Sequence, residues 1–247
     1  MLQNNCTAQQ NTDKTLSIGL LASHYVLKDN GMSALVYQGY YPGIMLQFLN
    51  EGPQLDQKLS TRISGGRIRN EINNNTAEGQ TFGLSYAALF KPGKFKDVQL
   101  GFGCILNNSL DLRRNTGYTN NQNYYEFGSS AGAAVKLSYR FGIADKEHKY
   151  LLNTVFSIPV ITALTRSNSI HNKWNDFPSL SFKQYVNNIQ LMSFNRYISL
   201  TWEAELKRTI SRNNGLSLGY QWNYRQIKEA NQLQSMVHSI VINYFFL

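Results

Sequence analysis

What most narrows the folds open to this chain is a two-residue alternation whose polarity is the reverse of a soluble sheet's. In LSLGYQWNY, Leu216, Leu218, Tyr220, Trp222 and Tyr224 alternate with Ser217, Gly219, Gln221 and Asn223. In FGSSAGAAVKLSYRF, Phe127, Ala131, Ala133, Val135, Leu137, Tyr139 and Phe141 share one side, while Gly128, Ser130, Gly132, Lys136, Ser138 and Arg140 share the other. Successive strand residues point to opposite faces, so a period of two predicts strands. One face is then apolar and aromatic, the other small, polar or charged. A soluble sheet buries its apolar face, and an interior built of Gly, Ser, Asn and charge would make a poor core. The pattern fits a barrel that turns its apolar face to lipid and its polar face to a lumen.

Composition agrees with that reading. The 247 residues contain no Pro- or Ser-rich linker, which argues for one all-β domain. Aromatic residues make up 13% of the chain against 16% charged, a balance suited to a membrane interface. The formal charge of +9 comes from Lys and Arg scattered over strands and turns, without the clustered stripe that nucleic acid requires. Residues 31–50 carry no charge and match the ~20 residues of a membrane helix. Gly31, Gly39, Pro42 and Gly43 inside that run oppose a helix, as Pro159 does in LLNTVFSIPVITALT. A membrane location therefore calls for a closed barrel, the one spanning form besides a helix that satisfies its backbone internally.

Alternation and turn signals together predict ten strands, at 15–28, 34–49, 55–68, 80–91, 97–107, 127–141, 149–165, 192–208, 214–226 and 235–247. The predicted fold is a single closed antiparallel transmembrane β-barrel of about ten strands in meander order, spanning 11–247. Residues 1–10 read as a disordered N-terminus or the end of a secretory signal, since Cys6-Thr7-Ala8 resembles a small-x-small cleavage site. Cys104 sits on the apolar side of VQLGFGCIL, where a lone thiol is structural. No Cys/His spacing suggests a metal, and no motif suggests a cofactor.

The chain closes with MVHSIVINYFFL, in which Ile240, Ile242, Tyr244 and Phe246 alternate to the end. Here it resembles Gram-negative outer-membrane β-barrel proteins, whose last strand ends in an aromatic or apolar residue recognised by the barrel-insertion machinery. In this chain the last residue is Leu247, with the aromatic phase one position earlier. The resemblance implies the outer membrane of a Gram-negative bacterium, with its lipid bilayer and the insertion machinery as partners. It implies no particular activity. With both termini in the periplasm, the inside turns fall at 50–54, 92–96, 142–148 and 209–215, all short. The outside connections fall at 29–33, 69–79, 108–126, 166–191 and 227–234, three of them long, as such barrels require.

Under this topology Lys58, Arg62, Lys136, Arg140, Glu203 and Glu205 face the lumen in its periplasmic half. Four cations and two carboxylates would form an ion network that fills and fixes the interior. The sharper alternative is a constriction favouring anionic solutes. Ion pairing also explains Glu203 and Glu205 more simply than acid–base catalysis. Barrel enzymes of this resemblance use a His with a Ser or Asp near the outer leaflet. Ser239 follows His238 directly and so faces the other way, leaving His24, His148, His171 and His238 with interfacial or exposed roles. In the loops, Tyr118, Tyr124, Tyr125, Trp174, Phe177 and Tyr185 among Asn and Gln either offer a recognition surface for a glycan, peptide or protein partner or fold inward as a lid over the barrel mouth. Aromatic girdles are predicted at Phe48, Phe90, Phe141, Tyr150 and Phe246 on the periplasmic side and at Phe82, Phe127, Tyr197, Trp222 and Tyr224 on the outer side. The function expected is a non-enzymatic envelope protein, a narrow channel or a structural or binding barrel. The rivals are an outer-membrane protease or lipid-modifying hydrolase with a site at the outer rim, an accessory subunit of a larger complex, and a soluble β-sandwich or lipocalin-like binder.

Overall fold

The computed structural model describes residues 13–115, 123–142, 150–166, 189–211, 214–228 and 232–246. They form β1 (Asp13–Asp29), β2 (Ser33–Glu51), β3 (Leu55–Arg69), β4 (Thr76–Phe95), β5 (Val98–Asn115), β6 (Asn123–Phe141), β7 (Tyr150–Arg166), β8 (Gln190–Met192), β9 (Tyr197–Ser211), β10 (Asn214–Ile227) and β11 (Leu233–Phe246). Strands adjacent in sequence pair antiparallel, except β8 and β9, which do not pair with each other. β1 closes the ring against β11, from Leu16 opposite Phe246 to Asp29 opposite Leu233. β8 and β9 both pair with β7, so together they make one stave of a closed ten-stave meander barrel. Among the described residues no helix is long and apolar enough to cross a membrane, and the charge-free run 31–50 lies almost wholly in β2.

Several staves run longer than their apolar stretches predict. β5 and β6 stay paired up to Arg114 opposite Asn123, through residues whose charge and amides had read as an outside loop. A ladder can continue past the lipid belt because backbone pairing is indifferent to what the side chains face. At the other end β4 runs on to Phe95. It absorbs Pro92 at a register shift between Phe90 and Gly93, the bulge setting that tolerates a residue without an N–H. The turn there is therefore 96–97, tighter than expected, with Lys96 in the left-handed region at φ 52°.

Leu16, Ile18, Ile44, Leu46, Ile63, Leu84, Leu100, Leu137, Leu206, Leu218 and Ile240 face outward and are exposed, forming an apolar belt around the barrel. Phe48, Phe90 and Phe246 lie at the turn end of the belt. Phe141 and Tyr150 stack there across β6 and β7 with centroids 5.5 Å apart. Phe82, Phe127, Trp222 and Tyr224 sit further along their strands. Tyr197 departs from its expected place in the outer girdle: it begins β9 on the inward phase and packs against the interior cluster of apolar side chains.

Inside, small polar residues pair across strands. Ser23 meets Ser239 at 2.8 Å, Ser60 meets Ser85 at 2.7 Å, Ser64 meets Thr81 at 2.7 Å, and Ser138 donates to Asn153 at 2.7 Å. Neutral ladders of this kind satisfy inward groups without adding charge. Two glycines make room for one large ring. A Cβ on Gly66 would stand 2.8 Å from Tyr41 Cδ1, and one on Gly79 1.9 Å from the Tyr41 hydroxyl oxygen. Tyr41 can lie flat across β3 and β4, stacked on Tyr25 at 4.4 Å, because both positions lack side chains.

Candidate functional site

The inward side chains are layered along the barrel axis. Nearest the turn end is a layer whose cations are all lysines. Lys58 binds Glu203 at 2.7 Å, Lys207 lies 3.6 Å from Glu205, Lys91 meets Asp56 at 2.6 Å, and Lys136 reaches Asp56 at 2.8 Å and Glu51 at 3.3 Å. Four lysines face four carboxylates. Of the residues expected in a lumen network, Lys58, Lys136, Glu203 and Glu205 sit in this layer, joined by Glu51, Asp56, Lys91 and Lys207. Ser217 also donates to Glu205 at 2.6 Å.

Toward the loop end lies a second layer, and its cations are all arginines. Arg113 binds Asp29 at 2.7 Å and approaches Glu126 at 3.5 Å. Arg166 binds Asp29 at 2.8 Å and approaches Glu126 at 3.9 Å. Arg225 lies 2.5 Å from Glu126 and 3.1 Å from Asp111. Three arginines thus face three carboxylates. Glu126 and Asp29 are each only 1% exposed. Sequence reasoning missed this layer because DLRR and Glu126 read as loop. Its one local signal is phase: Asp29, Asp111, Arg113, Glu126, Arg166 and Arg225 all fall on the inward beat of their strands. Beside it an apolar cluster gathers Leu27, Tyr37, Ile68, Tyr124, Ile227 and Leu233 from six different staves, which brings it across the bore.

Between the layers is a polar cavity of about 140 Å³. Ser60, Ser85, Asn107, Ser109, Gln221 and Asn223 line it together with Arg62. Arg62 therefore stands apart from the network it was expected to join, and it makes no ion pair among the described residues. Its side chain crosses β4 at Gly83, where a Cβ would come 2.9 Å from its Nε. Arg140 also falls outside both layers. It is exposed at the turn-end mouth, lining a hollow with Asp13, Glu51 and Asp97.

The cavity reaches a break in the wall. Pairing of β7 with β9 stops at Ser157 opposite Thr201, and pairing with β8 begins at Thr162 opposite Met192. Pro159 lies in the interval and has no N–H to give a ladder. The β6–β7 register shifts at the same level, and Val160 and Ile161 both turn outward, 48% and 49% exposed. Opposite them the chain leaves the wall in a turn where Tyr197 N–H donates to Ser193 O at 2.8 Å. Ser157, Pro159 and Thr162 on one side of the break, and Tyr197 and Ser199 on the other, all line the cavity.

The remaining candidates separate. His24 and His238 are cross-strand partners at the β1–β11 seam, on the outward face. His238 Nδ1 is 2.6 Å from the Tyr220 hydroxyl, and His24 packs on the Tyr40 ring at 5.0 Å. Ser239 faces the lumen, opposite to His238. Cys104 is a free, exposed thiol on the lipid-facing side. Tyr124 and Tyr125, expected in a loop, belong to β6 and are buried, Tyr124 in the apolar cluster across the bore. Ladder pairing carries β6 up to Asn123 and draws both rings into the wall. Tyr118, Trp174, Phe177, Tyr185, His148, His171, Leu247 and residues 1–10 lie outside the described residues. Among the described residues no cluster of His, Cys, Asp and Glu could hold a metal ion.

No protein-family model matches the chain, and no curated protein matches it in sequence. Solved structures do resemble it. The outer membrane protease OmpT of Escherichia coli superposes with a TM-score of 0.52 over 96% of each chain at 10% identity. Looser likenesses extend to Ail, the attachment invasion locus protein of Yersinia pestis, with a TM-score of 0.33 at 11% identity over 95% of this chain and 99% of that one. The toluene transporter TodX of Pseudomonas putida gives 0.34 at 7% identity over 94% and 89%. At these identities the likeness is one of fold. With its closed meander and outward apolar belt, the chain has the fold of the outer-membrane β-barrels, and that belt suits a lipid bilayer.

Proposed function

We propose that this protein is a non-enzymatic barrel, closed along its axis, that serves as a rigid platform for its outside loops and the partner they bind. The observation that carries this reading is the filling of the bore. Two charge-balanced layers and an apolar cluster drawn from six staves stand across it. A conducting lumen needs a continuous water path, and the inward Leu27, Ile68, Ile227 and Leu233, none more than 4% exposed, interrupt one at the loop end. The non-enzymatic part is supported by where the ionisable groups point. His24 and His238 face lipid, and the loop-end carboxylates Asp29, Asp111 and Glu126 are held by arginines. The partner is expected to be a glycan, peptide or protein met by the loop aromatics.

The test is conductance of the refolded chain in a planar bilayer, with insertion verified by protease protection. Wild type and Glu203→Ala are both expected to stay silent, because the apolar cluster remains intact in each. Discrete current steps in wild type would overturn the reading and restore the channel.

A further inference from the structure

We propose that the cavity between the two ion layers is a binding site for a small oxyanion, a carboxylate or a phosphate, held by Arg62. The argument begins from charge. Each lysine of the lower layer meets a carboxylate, and each arginine of the upper layer meets at least one. Among the described residues the layers hold four lysines against four carboxylates and three arginines against three. Arg62 is the surplus, a guanidinium within the wall that no carboxylate among the described residues neutralises. Arg62 is half-buried, and a guanidinium partly withdrawn from bulk water without a counter-charge favours an anion beside it.

The surroundings fit an oxyanion better than a bare halide. Ser60, Ser85, Ser109 and Ser130 supply hydroxyls, and Asn107 and Asn223 supply amide N–H groups, around a guanidinium that presents paired donors to two oxygens at once. Glu203 and Asp111 also line the cavity, but Lys58 and Arg225 hold them and blunt their repulsion. A cavity of about 140 Å³ has room for such an anion. The cavity extends to the lapse in pairing between β7 and the β8–β9 stave, lined there by Ser157, Pro159 and Thr162 on one side and Tyr197 and Ser199 on the other.

The experiment uses the refolded full chain in micelles, titrated with inorganic phosphate and, separately, acetate. Binding is read from phosphorus line width and from the Nε–H signal of Arg62 in labelled protein. Wild type is expected to saturate and to shift that signal. R62Q is expected to weaken binding about tenfold or more, as loss of a charge-assisted contact implies. R67Q and R114Q, on the outward face, are expected to bind as wild type does. Folding of every variant is checked by heat-modified gel mobility. An Arg62 signal that stays still through a phosphate and an acetate titration of wild type overturns the proposal, whatever R62Q does. Equal binding by folded R62Q overturns it as well, and loss in R67Q or R114Q would move the site to the outer surface.

Discussion

The two ion layers use opposite cations, and they are built differently for a physical reason. In the loop-end layer each guanidinium approaches two carboxylates, so Asp29, Asp111 and Glu126 are joined into one net through Arg113, Arg166 and Arg225. In the turn-end layer the ammonium groups act as point charges. The layer divides into Lys91 and Lys136 around Asp56, and separate pairs at Glu203 and Glu205. Two of the pairs differ in burial as well: the Glu126 side chain is 1% exposed, whereas Lys58 and Glu203 are 26% and 27% exposed, although turn-end Asp56 is as buried as its loop-end counterparts at 3%. A planar fork can fix several strands at once, while a flexible ammonium tolerates water and rearrangement. The loop end is thus the more extensively cross-linked end, which suits the proposed platform for loops.

The sharpest way to break this contrast is Glu126→Gln. It leaves three buried arginines facing two carboxylates, and the barrel is expected to lose about 3–5 kcal/mol of stability in urea unfolding from micelles. A loss below ~1 kcal/mol would mean that the loop-end net is no more coupled than its surroundings. Next in size is Arg113→Lys, which keeps the charge and removes the fork bridging Asp29 and Glu126. The expected cost is roughly 1.5–3 kcal/mol, the scale of a hydrogen bond to a charged group. Smallest is Glu203→Gln in the turn-end layer. Its partner Lys58 is partly wet, so the change is expected to stay near or under ~1 kcal/mol and to shrink further in 1 M salt. The Glu126→Gln deficit should persist in that salt. Equal salt sensitivity in the two variants would erase the distinction between the layers.

The sequence reading located the strands well and the site only in part. Alternation is a local signal, written within about ten residues, so the lipid belt and the inward phase of Lys58, Lys136, Glu203 and Glu205 could be read directly. The loop-end layer was hidden because above the belt both faces of a strand become mixed: Tyr25, Val26 and Leu27 are consecutive and apolar, and Asp111 to Arg114 are mostly charged. Period two fades there, and ladder pairing alone carries the strands onward. The same effect misplaced Tyr124 and Tyr125 in a loop and Tyr197 in the outer girdle.

By itself, then, the sequence determined the class of fold, the number of staves and which face meets lipid, because each depends on neighbours along the chain. Which charges meet was decided by the tertiary structure alone. Lys58 and Glu203 are 145 residues apart and Arg225 and Asp111 are 114 apart, each pair joined across the lumen. The closure of β1 on β11 and the register of every ladder set those meetings. Register is a property of pairs of strands, so no single strand could show that Arg62 would meet no carboxylate among the described residues.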